Sequence, residues 1–202
     1  MFSTDGLLYN LGLKLYYLLV LNALWLLFSI PVVTIGASTT ALYYVIGKVN
    51  REEEVREFLD FWNRFKSDFR NATITWLILL ALYALLFLNI KNLHLAGSLA
   101  PYVSIVQFIV LYELTITTMY AFPVLSRYQM GIKELLKSSL LAGNKHLPYT
   151  IICGLVLAAL TWLSLRIPLL IFVAAGLYAS FSQYIIVDKV MKRYEDRLSS
   201  EE

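Results

Sequence analysis

The chain has 202 residues, of which 59% are hydrophobic and only 15% are charged, and its net charge is +3. A soluble domain carries about 25% charged residues, and a small one could not hide this much apolar surface from water. The weak net charge argues against a nucleic-acid-binding protein, and the single cysteine, Cys153, excludes an internal disulfide framework. We therefore predict one all-α membrane domain over residues 1–202, a polytopic bundle in the lipid bilayer whose spans are uncharged stretches of ~20 residues.

The first uncharged stretch, residues 15–47, is too long for one span and short for two. Pro31 removes a backbone donor and disfavours helix at the residue before it, and Gly36 weakens the turn that follows. We predict a helix break at Pro31 and Gly36, with a span over about 9–30 before it. A shorter helix over about 37–49 would then lie at or partly within the membrane. The alternative is a tight hairpin, which would give six spans instead of five.

An amphipathic helix is predicted next, over about 51–70. Acidic residues at its start and basic residues toward its end suit the helix dipole. Its apolar side chains, among them Phe58, Trp62 and Phe65, recur at helical spacing on one face. Either this face lies on the inner membrane surface, or Phe58, Trp62 and Phe65 form a docking face for a cytoplasmic partner.

Three later uncharged stretches each predict a span, and the two stretches on either side of Glu113 together predict a fourth. These spans cover about 73–91, 98–126, 147–165 and 167–187. Two further cytoplasmic helices are predicted over about 131–142, with Gly143 as the C-terminal stop, and over about 188–198.

Lys and Arg residues are unevenly distributed between the segments that join the spans. Fourteen of the seventeen lie in segments 48–73 and 127–146 and in the tail after residue 187. The positive-inside rule places these segments in the cytoplasm. The C-terminus is therefore predicted to be cytoplasmic, whereas the N-terminus would be outside for five spans and inside for six.

Glu113 lies in the middle of the predicted 98–126 span. A carboxylate at that depth costs several kcal/mol, so it should face the bundle or a wet cavity. Thr117 and Tyr120 follow at helical spacing and extend it into a polar stripe. Glu113 is either a proton- or cation-binding group or a structural residue that hydrogen-bonds Asn22 or Gln183 on a neighbouring span.

The chain carries no motif of paired catalytic groups, no HExxH pair and no phosphate-binding glycine loop. We therefore expect no catalytic residues, no metal site, no cofactor and no enzyme activity.

The segment around the first helix break resembles the YesL family of bacterial membrane proteins. The resemblance is carried by LWLLFSIPVVTIGAS at 24–38 and ALYY at 41–44, and by Phe61, Phe65, Lys66, Phe69 and the Asn-Ala-Thr at 71–73. The family has no established activity and no catalytic residues to transfer. The resemblance implies a bacterial plasma-membrane protein, often encoded near sugar-uptake ABC transporters.

Two hypotheses about function follow. The first is an accessory protein that binds components of a carbohydrate-uptake system, such as ABC transporter subunits, through its cytoplasmic helices. The second is a small transporter or channel subunit, as a homo-oligomer in one version, that uses Glu113 and the broken first span.

Overall fold

The computed structural model describes residues 7–191, which form seven α-helices and no strand within that range. The helices are α1 (Leu7–Ser29), α2 (Ile35–Asn50), α3 (Glu57–Lys91), α4 (Ala100–Arg127), α5 (Ile132–Lys145), α6 (Leu147–Arg166) and α7 (Ile171–Gln183). Short 3₁₀ turns at Val32–Thr34, Leu93–Leu99 and Pro168–Leu170 join helices, and a π-helix at Tyr184–Met191 continues α7. The predicted all-α bundle is confirmed.

Six helical segments are long and apolar enough to cross a membrane: α1, α2 with the 3₁₀ turn before it, α3, α4, α6, and α7 with the 3₁₀ turn before it and the π-helix after it. The chain is a multi-pass membrane protein. The preferred prediction has five spans, and the sixth candidate is the segment that contains α2. This candidate corresponds to the alternative prediction, in which residues 9–49 form a tight hairpin.

α1 and α2 form a tight helical hairpin around Pro31. Pro31 has an extended backbone, and the Thr34 hydroxyl donates to the carbonyl oxygens of Phe28 and Pro31, at 2.7 and 2.8 Å. Trp25 Nε1 donates to Thr39 Oγ1 at 3.1 Å across the two helices. The predicted break at Pro31 is therefore present, but the helix after it starts earlier than predicted and is largely buried inside the bundle.

α2 and α3 pack antiparallel in a constant register. Lys48 Nζ pairs with Asp60 Oδ2 at 2.7 Å near one end of the contact. At the other end Trp76 Nε1 donates to the Val32 carbonyl at 2.8 Å. α2 is thus covered by the charged first half of α3, and only its Gly36 end reaches the uncharged part that begins at residue 71.

The predicted cytoplasmic helix over 51–70 is not a separate element. Residues 51–56 form the turn after α2, and the rest of the segment is the first half of α3, which runs unbroken to Lys91. In this turn Glu52 adopts a φ of 58°, and the Glu53 N–H donates to the Lys48 carbonyl at 3.1 Å. The acidic run therefore closes α2 with a Schellman turn instead of starting a helix.

The remaining helices lie close to their predicted positions. α4, α6 and α7 with its π-helical continuation match the spans predicted from the charge gaps. α5 extends three residues past the predicted end, because Gly143 lies inside the helix and does not stop it. The predicted tail helix over 188–198 lies mostly outside the described residues.

Candidate functional site

Glu113 lies near the middle of α4 and is half-buried. Its Oε2 accepts a hydrogen bond of 2.7 Å from Nδ2 of Asn144, in the last turn of α5. The expected partners, Asn22 and Gln183, contact other groups: Asn22 Oδ1 accepts from the Gly176 N–H at 3.1 Å, and Gln183 Nε2 lies 3.5 Å from Ser126 Oγ. A pairing of Glu113 with Asn22 or Gln183 was therefore wrong.

The predicted polar stripe is the surface of α4 on which α5 packs. The Thr117 hydroxyl donates to the Glu113 carbonyl at 2.8 Å, within α4. The buried Tyr120 hydroxyl lies 2.8 Å from Thr150 Oγ1, and that hydroxyl donates to the Gly143 carbonyl at 2.8 Å. A chain of hydrogen bonds thus joins α4, α5 and α6, and we call these contacts, with Glu113–Asn144, the α4–α5 seam.

Gly143 determines how closely α5 approaches α4. A Cβ at this position would overlap the Ile116 side chain, and Tyr120 ring carbons lie within 3.4 Å of it. A small residue is required there for the two backbones to come close. The glycine that suggested a helix stop in the sequence is therefore a packing residue of the seam.

The seam faces away from the central cavity of the bundle. On α4, Thr115, Thr118 and Phe122 line that cavity. Glu113 precedes Thr115 by two residues, which is about 160° around an α-helix. The Glu113 carboxylate is therefore directed at α5, and its observed contact is a structural one.

Aromatic side chains of α3 pack around Phe28 at the end of α1. The Phe28 ring centroid lies 5.5 Å from those of Phe61 and Trp62 and 5.1 Å from that of Phe65. Such pairs each contribute about 0.5–1.5 kcal/mol beyond area burial. Phe65 is only 8% exposed, so its assignment to a docking face is corrected: it packs inside the protein.

The outer face of the same half-helix is apolar and exposed. Phe58 and Leu59 are 53% and 50% exposed, and Phe69 is 41% exposed. Lys66 Nζ lies 4.5 Å from the Trp62 ring centroid on this face. We call Phe58, Leu59, Trp62, Lys66 and Phe69 the α3 strip, in which Trp62 is half-buried against Phe28. The strip shares Phe58 and Trp62 with the predicted docking face but does not include Phe65.

The predicted break residues have separate roles. Pro31 lies in the hairpin turn, whereas Gly36 is inside α2. A Cβ on Gly36 would lie 2.5 Å from the Ala72 carbonyl oxygen and 2.6 Å from Trp76 Cβ. Gly36 therefore permits close contact of α2 with α3, and the prediction that it weakens the helix was wrong.

Comparison with known proteins gives one match. Residues 18–90 match the family described as "Protein of unknown function, DUF624". The matched stretch covers about a third of the chain and contains α2, the second half of α1 and nearly all of α3. It also contains every residue on which the YesL resemblance rests. No curated protein and no solved structure matches the chain.

Sequence reasoning missed Asn144, the residue that binds Glu113. Ending the predicted helix before Gly143 removed Asn144 from it. The available signal was the helical spacing of Leu135, Ser139 and Ala142 with Gly143, all of which are buried against neighbouring helices. Within residues 7–191 no group of three or more His, Cys, Asp or Glu residues is placed to hold a metal ion.

Proposed function

We propose that the chain is a non-enzymatic accessory protein of the bacterial plasma membrane that binds other membrane-associated proteins. We further propose that it belongs to the YesL-like family and that its partners are components of a sugar-uptake ABC transporter. The match of residues 18–90 to DUF624 supports the family proposal. The concentration of Lys and Arg in 48–73, 127–146 and the tail supports a cytoplasmic C-terminus.

The observation that carries this proposal is the exposed α3 strip. α3 is one continuous helix of 35 residues, about 52 Å long, whereas the hydrocarbon core is ~30 Å thick. If its uncharged second half crosses the bilayer, its first half cannot lie flat on the membrane surface. The interpretation as an interfacial helix loses support, and an apolar surface at that place favours a protein partner.

The composition of the strip indicates the chemistry of the partner. The centre of the strip is apolar and consists of Phe58, Leu59 and Phe69. Two exposed basic residues lie beside it: Lys66, and Arg70 about one helical turn further along α3. An amphipathic helix with an apolar face and acidic flanks would match both features.

The test is a mild-detergent pull-down that compares the wild-type chain with the double variant Phe58→Ser and Leu59→Ser. Both side chains are at least half exposed, so their truncation should leave the bundle folded. We expect the variant to lose most of the co-purified partner. The matched control is Leu140→Ser with Leu141→Ser, another exposed neighbouring pair, on α5. Equal partner recovery with the α3 variant and the wild type would contradict docking at the strip.

The transporter or channel hypothesis stays a prediction, and a transport role for Glu113 has less support than before. Glu113 is directed at Asn144, away from the central cavity. Glu113→Gln keeps a carbonyl oxygen that accepts the Asn144 hydrogen bond, so we expect an intact fold. If proteoliposomes carry a flux that Glu113→Gln abolishes while the unfolding midpoint is unchanged, the transporter hypothesis is favoured over the accessory one.

A further inference from the structure

The bundle holds a half-open cavity of about 550 Å³ to which six helices contribute. α1 provides Trp25, α3 provides Trp76 and Tyr83, and α7 provides Ala175 and Tyr178; α2, α4 and α6 complete the wall. This volume lies within the range of 300–1,000 Å³ that is typical of ligand sites. The cavity is separate from both the α4–α5 seam and the α3 strip.

The wall is mostly apolar and carries hydroxyl groups. Of the described residues that line the cavity, none is charged. Most of the hydroxyls have partners within the protein: Tyr83 with Thr118 at 3.2 Å and Tyr43 with Ser182 at 3.0 Å are examples. Ser164 Oγ and Tyr178 Oη, by contrast, are buried without a hydrogen-bond partner among the described residues.

Unpartnered buried hydroxyls are costly, since each loses its bonds to water, at about 1–3 kcal/mol. Both oxygens are covered by neighbouring atoms, so a molecule in the cavity would meet the apolar part of the wall instead. A free sugar carries many polar groups and would leave most of them unpaired here. A lipid anion would need a cationic side chain, which this wall lacks among its described residues.

The exposed lining residues mark the open side of the cavity. They are Thr115 on α4, Leu157, Thr161 and Leu165 on α6, and Ile171 on α7. α6 meets α4 through the Tyr120–Thr150 hydrogen bond, which lies outside the lining. Because α4, α6 and the segment of α7 are candidate membrane spans, we expect this side to open into lipid.

We propose that this cavity binds one uncharged lipid-like molecule, a hydrocarbon chain or ring system, that enters laterally from the bilayer. The wall of aromatic and aliphatic groups selects the hydrocarbon, and the lack of a charged group among the described lining residues disfavours an ion.

Tryptophan fluorescence provides a direct test, because two of the four tryptophans, Trp25 and Trp76, line the cavity. In the background Trp62→Phe with Trp162→Phe, only these two remain. Titration with dibromo-octadecanol, in nanodiscs of saturated lipid, should quench their emission in a saturable manner. Dibromostearate, the corresponding anion, should bind about tenfold more weakly or worse.

Two variants should weaken the quenching. Ala175→Phe fills the cavity, and Ser164→Leu adds volume to its wall; each should weaken binding by about tenfold or more. Ala158→Phe, on an exposed part of α6 outside the cavity lining, should bind as the parent does. Should Ala175→Phe fail to fold, Ser164→Leu still decides the result.

Three results would overturn the proposal. Quenching that does not saturate would show simple partitioning into lipid. Equal affinity of the parent and both cavity variants would place the probe outside the cavity. Equal affinity for dibromo-octadecanol and dibromostearate would remove the preference for an uncharged molecule.

Discussion

At the scale of single residues, Gly36 has the clearest energetic role. Its backbone lies against the Ala72 carbonyl and Trp76, with no room for a Cβ. We expect Gly36→Ala to destabilise the protein by about 1–3 kcal/mol through forced separation of α2 and α3. This loss exceeds the ~1 kcal/mol that alanine contributes through helix propensity. A fall of the unfolding midpoint in detergent by on the order of 5 °C would show it.

Gly12→Ala is the matched control, because nothing lies within 4 Å of a Cβ at Gly12 in α1. At this position the substitution changes only the helix propensity, so the unfolding midpoint should stay the same or rise. If Gly36→Ala behaved as Gly12→Ala does, the close α2–α3 contact would be refuted.

Glu52 is the residue whose replacement should stabilise the protein. It has a φ of 58°, the conformation in which its Cβ costs roughly 1–2 kcal/mol. Glycine removes this strain but is more flexible when unfolded, which costs about 0.5–1 kcal/mol. Glu52→Gly should therefore raise the unfolding midpoint by about 1–3 °C.

Glu54→Gly serves as the comparison, since Glu54 lies in the same turn, is also exposed and does not have a positive φ. It should lower the midpoint slightly or leave it unchanged. A lower midpoint for Glu52→Gly than for Glu54→Gly would argue against the Schellman turn after α2.

At the scale of elements, the α2–α3 register determines how deep the first hairpin reaches. α3 carries charged residues up to Arg70 and is uncharged over 71–90. The hairpin turn lies beside Trp76, only a few residues into this uncharged part. Ile30, Val32 and Val33 are exposed on the turn, at 73%, 57% and 48%. We infer that the turn ends within the bilayer and that both ends of the hairpin face the cytoplasm.

Cysteine accessibility tests this inference in whole cells. In a Cys153→Ala background, we expect a membrane-impermeant maleimide to label Ser98→Cys, in the turn between α3 and α4. Val33→Cys should stay unlabelled, because lipid surrounds the hairpin turn. Labelling of both cysteines to the same extent would indicate that α1 and α2 cross the whole membrane.

At the scale of the whole molecule, local patterns predicted the helices well. The uncharged stretches 71–90, 146–165 and 167–187 are each long enough to show a span, and Pro31 marks the hairpin because a proline breaks the local hydrogen bonding. Glu113, Thr117 and Tyr120 share a face of α4, as their spacing predicts.

Contacts between distant segments could not be obtained in this way. The aromatic face over 58–69 meets Phe28 from α1, and this nonlocal contact decides that Phe65 is buried and Phe58 exposed. Likewise, Gly36 and Gly143 are local helix breakers by composition, but the helices packed against them make them contact residues. The partner of Glu113 depended on how α5 folds back along α4.

The accessory function is tested most directly by native mass spectrometry of the tagged wild-type chain, extracted in mild detergent from its own membrane. We predict a complex in which the chain is bound in fixed ratio to ABC transporter subunits. Recovery of the chain alone, as a monomer or as a defined homo-oligomer, would contradict the proposed function.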